Sequence, residues 1–408
     1  MHHGVPERTF DERVTLGEAG TGLSVVAGIG GLALVAIGAV LGWLRGDEWK
    51  YFLHSYLVQF CFFLSLSLGA LVFVGIQHAT RAGWSASLRR LAEILAANFG
   101  VMALLFLPIL VIVLLGNHSL YEWADPSHVA EDHLLQHKQP YLNVPFFVGR
   151  AVVYFLFWWM AGRFYLSRSV AQDSSGDPAV TLQMERWSGP IIMVFAVTVT
   201  FAAFDWLMSL DPHWYSTIYG VYYFAGAIVS FVGAITLIAV LLQSTGRLMT
   251  AIHVEHYHDL GKLLLAFVIF WGYIAFSQYM LIWYGNIPEE TIWYLARQTG
   301  PWGYVSLALL FGHLLIPFFG LLPRATKRRK MLLAGWGVWI LVFHWLDIYW
   351  LVMPRLGADG FPPGLIDLSL LLGTGGLYLA GLIRVAGAHS LVVLRDPRLA
   401  EALAFENV

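Results

Sequence analysis

Two carboxylates stand where an apolar chain can least tolerate an unpaired charge. Asp205 lies in Phe204-Asp205-Trp206-Leu207-Met208-Ser209-Leu210-Asp211-Pro212, the end of an apolar run that begins near Gly189. Asp347 lies in Leu346-Asp347-Ile348-Tyr349-Trp350-Leu351-Val352-Met353-Pro354. The two aspartates are 142 residues apart, and so are Pro212 and Pro354. An acid about two helical turns inside a membrane segment costs several kcal/mol unless it is paired, hydrated or protonated, so it marks function. His344 precedes Asp347 by three residues and shares its helix face. Histidine titrates near neutral pH, and burial can bring a carboxylic acid toward the same range. Acid, imidazole, phenol and amide in one apolar setting make a proton relay. Gln278 and Tyr279, His313, Glu93, Arg150 and Arg163 are the further polar side chains within apolar runs that such a relay can use.

These residues need elements to hold them. The chain has 408 residues, 58% hydrophobic and 12% charged, against about 25% charged in an ordinary soluble domain. Apolar runs near the roughly 20 residues needed to cross a bilayer recur at about 21–44, 52–76, 91–115, 145–168, 189–210, 217–243, 260–285, 301–322, 331–353 and 365–386. They predict an all-α polytopic membrane protein with ten spans, numbered 1 to 10 below. Lys and Arg concentrate on one side, at Arg8, Arg13, Arg81, Arg89, Arg90, Arg168, Arg186, Arg247, the 324–330 cluster, Arg395 and Arg398. The other side carries Arg45, Lys50, Lys138, Arg297 and Arg355. By the positive-inside rule both termini are expected in the cytoplasm. The first twenty residues are polar, so no cleavable leader is expected. The 116–144 connection is long, outward-facing and rich in Asp, Glu and His, and a periplasmic partner is expected to order it. The tail after Arg384 reads as a surface segment.

The repeat reaches beyond the acids. Span 3 opens with Leu88-Arg89-Arg90-Leu91 and leaves at Gly116-Asn117; span 7 opens with Leu260-Gly261-Lys262-Leu263 and leaves at Gly285-Asn286. Spans 2–5 thus match spans 6–9 in a parallel repeat. The expected organisation is a cytoplasmic segment 1–20, span 1 and its loop 21–50, a four-helix bundle 51–212, a second bundle 213–354, and span 10 with a cytoplasmic tail 355–408.

Depth sorts the candidates. Asp205, Arg150, His344, Asp347, Gln278 and Tyr279 fall in the outer half, His313 near the middle, and Glu93, Arg163 and the His253, His256, His258 group toward the cytoplasm. Each has a plainer reading. Arg150 and Arg163 can serve as partners of a carboxylate or of helix-end carbonyls, Glu93 can be solvated at the interface, and Tyr219, Tyr222 and Tyr223 fit an interfacial belt. A b-type haem needs facing histidines; His313 and His344 qualify, but Ala202 stands 142 residues before His344, so the first bundle has no counterpart. His118, His128, His133 and His137 form no tight ligand signature. The single cysteine, Cys61, excludes disulfides, thiolate iron–sulfur clusters and covalently attached haem within this chain. The net charge of −2 and the lack of basic clusters argue against nucleic acid.

The outer end of span 7, Ser277-Gln278-Tyr279-Met280-Leu281-Ile282-Trp283-Tyr284-Gly285-Asn286-Ile287-Pro288-Glu289-Glu290, resembles the signature of the F subunit of bacterial alternative complex III, one of its two NrfD/polysulfide-reductase-like membrane subunits. Phe204 to Trp214 resembles it too. The likeness covers essentially the whole chain. It implies ten helices in two four-helix bundles plus two flanking helices. It also implies a complex that oxidises menaquinol on the periplasmic side, with haem c and iron–sulfur clusters held by other subunits and none bound by this chain. The implied partners are the homologous NrfD-like membrane subunit, a periplasmic iron–sulfur subunit, c-type cytochrome subunits, lipids and a terminal oxidase. The family's quinol site belongs to the companion subunit; the F subunit is taken as a proton-conducting or structural homologue. Pro108 stands where the repeat places the counterpart of Ser277, which speaks against a quinone pocket in the first bundle.

The leading expectation is a subunit without redox centres that carries protons between Glu93, Arg163 and the His253 group on one side and Asp205, His344, Asp347 and Gln278 on the other. The rivals are a quinol or quinone site in the outer half, with a carboxylate accepting the proton, a secondary transporter and a structural anchor.

Overall fold

The computed structural model describes residue 10 and residues 12–407; Arg8 and the rest of residues 1–9 lie outside the described residues. Among the described residues ten helices are long and apolar enough to cross a membrane: Gly20–Arg45, Lys50–Ala79, Ala86–Leu114, Val144–Ser175, Pro178–Leu210, Tyr219–Ser244, Val254–Gly285, Gly300–Leu321, Lys330–Gly360 and Leu365–Gly387. They are spans 1 to 10. Among the described residues there is no strand, only one isolated bridge between Arg13 and Arg247. A helix satisfies every backbone group within its own segment, which hydrocarbon demands. Spans 4, 5 and 7 run two turns or so beyond their apolar stretches at the basic ends. Asn143, with Pro145, starts span 4, and Asp177, with Pro178, starts span 5, each side chain accepting an exposed backbone N–H.

Spans 2 and 6 form the centre. In their most apolar windows 94% and 78% of residues are buried, against 17% in span 1. Gly69 brings their backbones together, since a Cβ there would lie 2.3 Å from the Ala227 carbonyl oxygen. Span 2 packs on spans 3, 5, 9 and 10, span 6 on spans 5, 7 and 9, span 4 on 3 and 5, span 8 on 7 and 9, and span 1 mainly on span 10. Span 8 is interrupted at Leu310–Leu315 by a π-helical turn, an insertion that commonly marks functional positions. Span 5 ends in a 3-10 turn, Met208–Leu210, and span 9 runs on into another, Met353–Gly360.

The structure adds to one sequence expectation and overturns another. The 116–144 connection buries its own apolar residues, Leu120, Tyr121, Trp123, Val129, Leu135 and Leu142. It forms the short helices Pro126–Glu131 and His133–Lys138, each opened by an aspartate cap. Tyr121 Oη donates to the Trp206 carbonyl at 3.0 Å, Lys138 Nζ to that of Pro212 at 2.5 Å, and Glu122 pairs with Arg355. The loop's scattered apolar residues join the core of this chain. The C-terminal tail is no surface segment. Leu391, Val392, Val393, Leu399 and Ala402 are buried. Asp396 pairs with Arg89 and Arg398 with Glu185, while the Leu394 N–H donates to Asp173 at 2.8 Å. The tail is strapped across the basic ends of spans 3, 4 and 5, and Lys262 Nζ reaches Asn407 Oδ1 at 2.7 Å to include span 7.

Candidate functional site

The two acids have opposite surroundings. Asp205, at the end of span 5, is fully buried. Arg150 of span 4 meets it with two parallel bonds, Nε to Oδ2 and Nη2 to Oδ1, both 2.8 Å, and Tyr154 Oη donates to Oδ2 at 2.8 Å. Arg150 and Tyr154 are four residues apart and so share a face. The guanidinium also donates to the Tyr141 carbonyl at 2.9 Å and lies 3.9 Å above the Tyr141 ring and 4.2 Å above that of Phe146. A bidentate pair with aromatic cover is the geometry that lets two charges share a dry place. Asp205 is held by a fixed cation and makes its contacts there.

Asp347, in span 9, is as deeply buried and has no Arg or Lys among its polar contacts. Tyr222 of span 6 donates its hydroxyl to Oδ1, and Trp271 of span 7 donates Nε1–H to Oδ2 at 3.1 Å. His344 Nδ1 is 4.0 Å from Oδ2; a movement of about 1 Å brings that gap to hydrogen-bond length. On its other side His344 Nε2 lies 2.9 Å from Ser65 Oγ of span 2, and Ser65 donates to the Phe62 carbonyl at 2.6 Å. With the Ser65 hydrogen so used, Nε2 is the donor and Nδ1 turns a bare lone pair toward Asp347. Gly226 makes room, because a Cβ there would sit 2.7 Å from His344 Cε1. The π-helical turn of span 8 sets His313 against Trp271, ring centres 4.0 Å apart, and 6.3 Å from His344. His313 is fully buried and neither of its ring nitrogens has a hydrogen-bond partner. Three ionisable side chains thus gather around Trp271 with spare donor and acceptor capacity and no fixed counter-charge. This arrangement can take up, hold and hand on a proton.

The other sequence candidates lie apart from this cluster. Gln278 accepts from Ser216 and donates to Tyr294, both at 3.0 Å, and Tyr279 packs edge-on against Tyr294. These residues sit with the short helix Pro288–Gln298. Glu93 is fully buried near the basic end of span 3, 3.1 Å from Arg90 and 3.6 Å from Arg89. Arg163 is exposed, and no hydrogen bond or ion pair among the described residues joins it to Glu93 or to Asp347. His253 and His256 cap the start of span 7, each ring accepting a backbone N–H of the other's turn.

Sequence reasoning passed over Tyr154, Trp271 and Ser65, and it read Tyr222 as an interfacial residue. Aromatic residues in apolar runs are too common to single out; the Arg150–Tyr154 spacing was the one local hint. Arg297 was counted only as a loop cation. It is buried, lies 3.5 Å above the Trp293 ring, and donates to the carbonyls of Trp350 and Leu351 at 3.2 and 2.9 Å, closing the outer end of span 9. Among the described residues no group of three or more His, Cys, Asp and Glu has the arrangement to hold a metal ion. A scan of protein-family models gives no match to this sequence, and a search of curated proteins gives none either.

Proposed function

We propose that this chain is a proton-carrying membrane subunit, without redox centres of its own, of a quinol-oxidising electron-transfer complex similar to bacterial alternative complex III. The observation that carries the proton reading is the cluster of Asp347, His344 and His313 around Trp271, buried and free of any Arg or Lys. An anchor gains nothing from three buried ionisable groups, one with both nitrogens unpartnered, since each costs about 1–3 kcal/mol when left without a bond. In this reading Asp347 and His344 exchange the proton across their short gap. Tyr222 and Trp271 hold the carboxyl group, and Ser65 sets the imidazole tautomer. Asp205 is a structural counter-ion in the other half.

The membership rests on the span 7 and Asp205 signatures. With it go two four-helix units, spans 2–5 and 6–9, flanked by spans 1 and 10, with both termini cytoplasmic. The packing partners of spans 2 and 6 and the bias of Lys and Arg support that arrangement. The complex would lie in a bacterial cytoplasmic membrane, oxidise menaquinol at the periplasmic side, and hold haem c and iron–sulfur clusters in partner subunits.

The test is proton release by the reconstituted complex at matched electron flux. Asp347→Asn is expected to assemble and pass electrons while releasing fewer protons per electron, because asparagine keeps the shape and cannot carry the proton. Unchanged stoichiometry would refute the relay. Purification without haem or iron–sulfur subunits would refute the membership.

A further inference from the structure

At the basic end of the bundle, spans 1, 3, 6 and 10 leave a narrow cavity of about 350 Å³ between them. Leu91, Leu95 and Leu382, all buried, form its floor. Leu23, Leu241 and Leu379 stand at its mouth, 58%, 55% and 47% exposed, so it opens sideways into hydrocarbon. Thr245 and Arg247 are the polar side chains of the lining, and Arg247 is its one charge.

A second cation stands beside the first. A backbone bridge joins Arg13 to Arg247. Arg247 gives three N–H groups to uncharged oxygens: Nε to the Thr15 carbonyl at 2.9 Å, Nη1 to Thr245 Oγ1 at 2.7 Å and Nη2 to the Leu16 carbonyl at 3.3 Å. A guanidinium has five such groups, so two remain. Arg13 is exposed and, among the described residues, its side chain has no hydrogen-bond or ion-pair partner. Glu12, the acid next to it, is engaged by the N–H groups of Met249, Thr250 and Ala251 and by the Thr250 hydroxyl. Two arginines thus outnumber one glutamate, and neither arginine forms an ion pair among the described residues.

Shape and charge together name the occupant. One helical turn, about 10 Å across and 5.4 Å tall, takes up roughly 400 Å³, more than the whole cavity, so a partner helix does not fit inside. A single hydrocarbon chain does, and it restores the dispersion contacts that an empty space forfeits. The planar, weakly hydrated guanidinium suits a phosphate. A choline or ethanolamine headgroup would bring an ammonium to two cations, whereas a glycerol headgroup leaves the phosphate charge free to meet them.

We propose that this groove holds one acyl chain of an anionic phospholipid from the leaflet at the basic end, its phosphate against Arg247 and Arg13. The proposal rests on the groove and the two arginines, and on neither the proton reading nor membership of a complex.

The test uses the full chain in phosphatidylcholine nanodiscs doped with phosphatidylglycerol that carries a diazirine on one acyl chain. Cross-links are expected around Leu23, Leu95 and Leu379, about fivefold above those from phosphatidylcholine with the same tail, since one cation near the surface favours an anionic lipid by roughly that factor. Arg13→Gln and Arg247→Gln are each expected to bring the labelling down toward the phosphatidylcholine level, while Arg247→Lys keeps most of the preference. Arg13 makes no bond of its own, so a folding defect in Arg247→Gln leaves Arg13→Gln decisive. Leu241→Trp and Leu379→Trp obstruct the mouth from two different spans and are expected to abolish groove labelling, whereas Arg168→Gln, an exposed change on span 4, leaves it unaltered. A large excess of inorganic phosphate is expected not to compete. Equal labelling by the two lipids, labelling spread evenly over the exposed spans, labelling that survives both tryptophans, or competition by free phosphate would each overturn the proposal. So would a photoreactive phenylalanine at position 241 that captures a protein segment in native membranes instead of lipid.

Discussion

Asp205 and Asp347 occupy corresponding places in two similar sequence segments, yet one is clamped and the other is left with capacity to spare. Arg150 satisfies Asp205 with two 2.8 Å bonds, and Tyr154 adds a third. Asp347 receives a phenol, an indole and, 4.0 Å away, an imidazole. Removing a carboxylate that is paired with a buried guanidinium strands the cation. A carboxyl group among neutral donors has no such partner to strand. The same residue type, 142 residues on, is therefore paired with a cation in one place and with neutral donors in the other, and the difference comes from what the neighbouring spans bring.

The contrast is most open to attack at Arg150. Arg150→Met leaves Asp205 buried and unpaired, which should cost about 3–5 kcal/mol and abolish accumulation of folded protein. Adding Asp205→Asn should restore most of it, as read by the thermal midpoint of intrinsic tryptophan fluorescence. If Arg150→Met alone folds with parental stability, the clamp is not structural. A change of opposite sign is expected at the other site. His313→Leu removes two unpartnered nitrogens and should stabilise by about 1–3 kcal/mol while lowering proton release. Loss of stability there would mean that His313 makes a bond of structural weight. The smallest effect belongs to a third acid, outside the membrane. The His213 ring bonds Asp132, and with the N–H groups of Leu134 and Leu135 it holds that carboxyl below its usual range. A depressed acid contributes fully above its unfolded value of about 4 and loses that contribution as pH falls through the lower folded value. Amide exchange over residues 133–138, corrected for intrinsic rates, should quicken only below about pH 4. In Asp132→Asn it should be fast throughout, and a pH-independent parent would sink the assignment.

The ten spans were legible because hydropathy and length report directly on the bilayer. Their extensions at the basic ends were not, since the mostly polar stretches from Ser169 to Ser175 and from Val254 to Asp259 continue the helix without an apolar signal. The two acids were legible as exceptions in apolar runs. Their difference was not, because it depends on which spans touch: Arg150 comes from span 4, Tyr222 from span 6 and Trp271 from span 7. The turn around His313 follows no residue pattern in Leu310–Leu315 that separates it from ordinary helix. Likewise, the tail's short apolar groups, such as Leu391-Val392-Val393, fall below any membrane threshold and reveal a core position only when packed.

The strap also has a consequence in time. Arg89 lies in the third span and Asp396 lies beyond the tenth. During synthesis the ribosome must finish every span before that carboxylate exists. Until then Arg89 and Arg90 have Glu93, Asp173 and Ser169 beside them, and the basic ends of spans 3, 4 and 5 remain uncovered. Closure over them therefore follows the making of the tenth span, so a chain interrupted or clipped before Asp396 leaves Arg89 without that carboxylate.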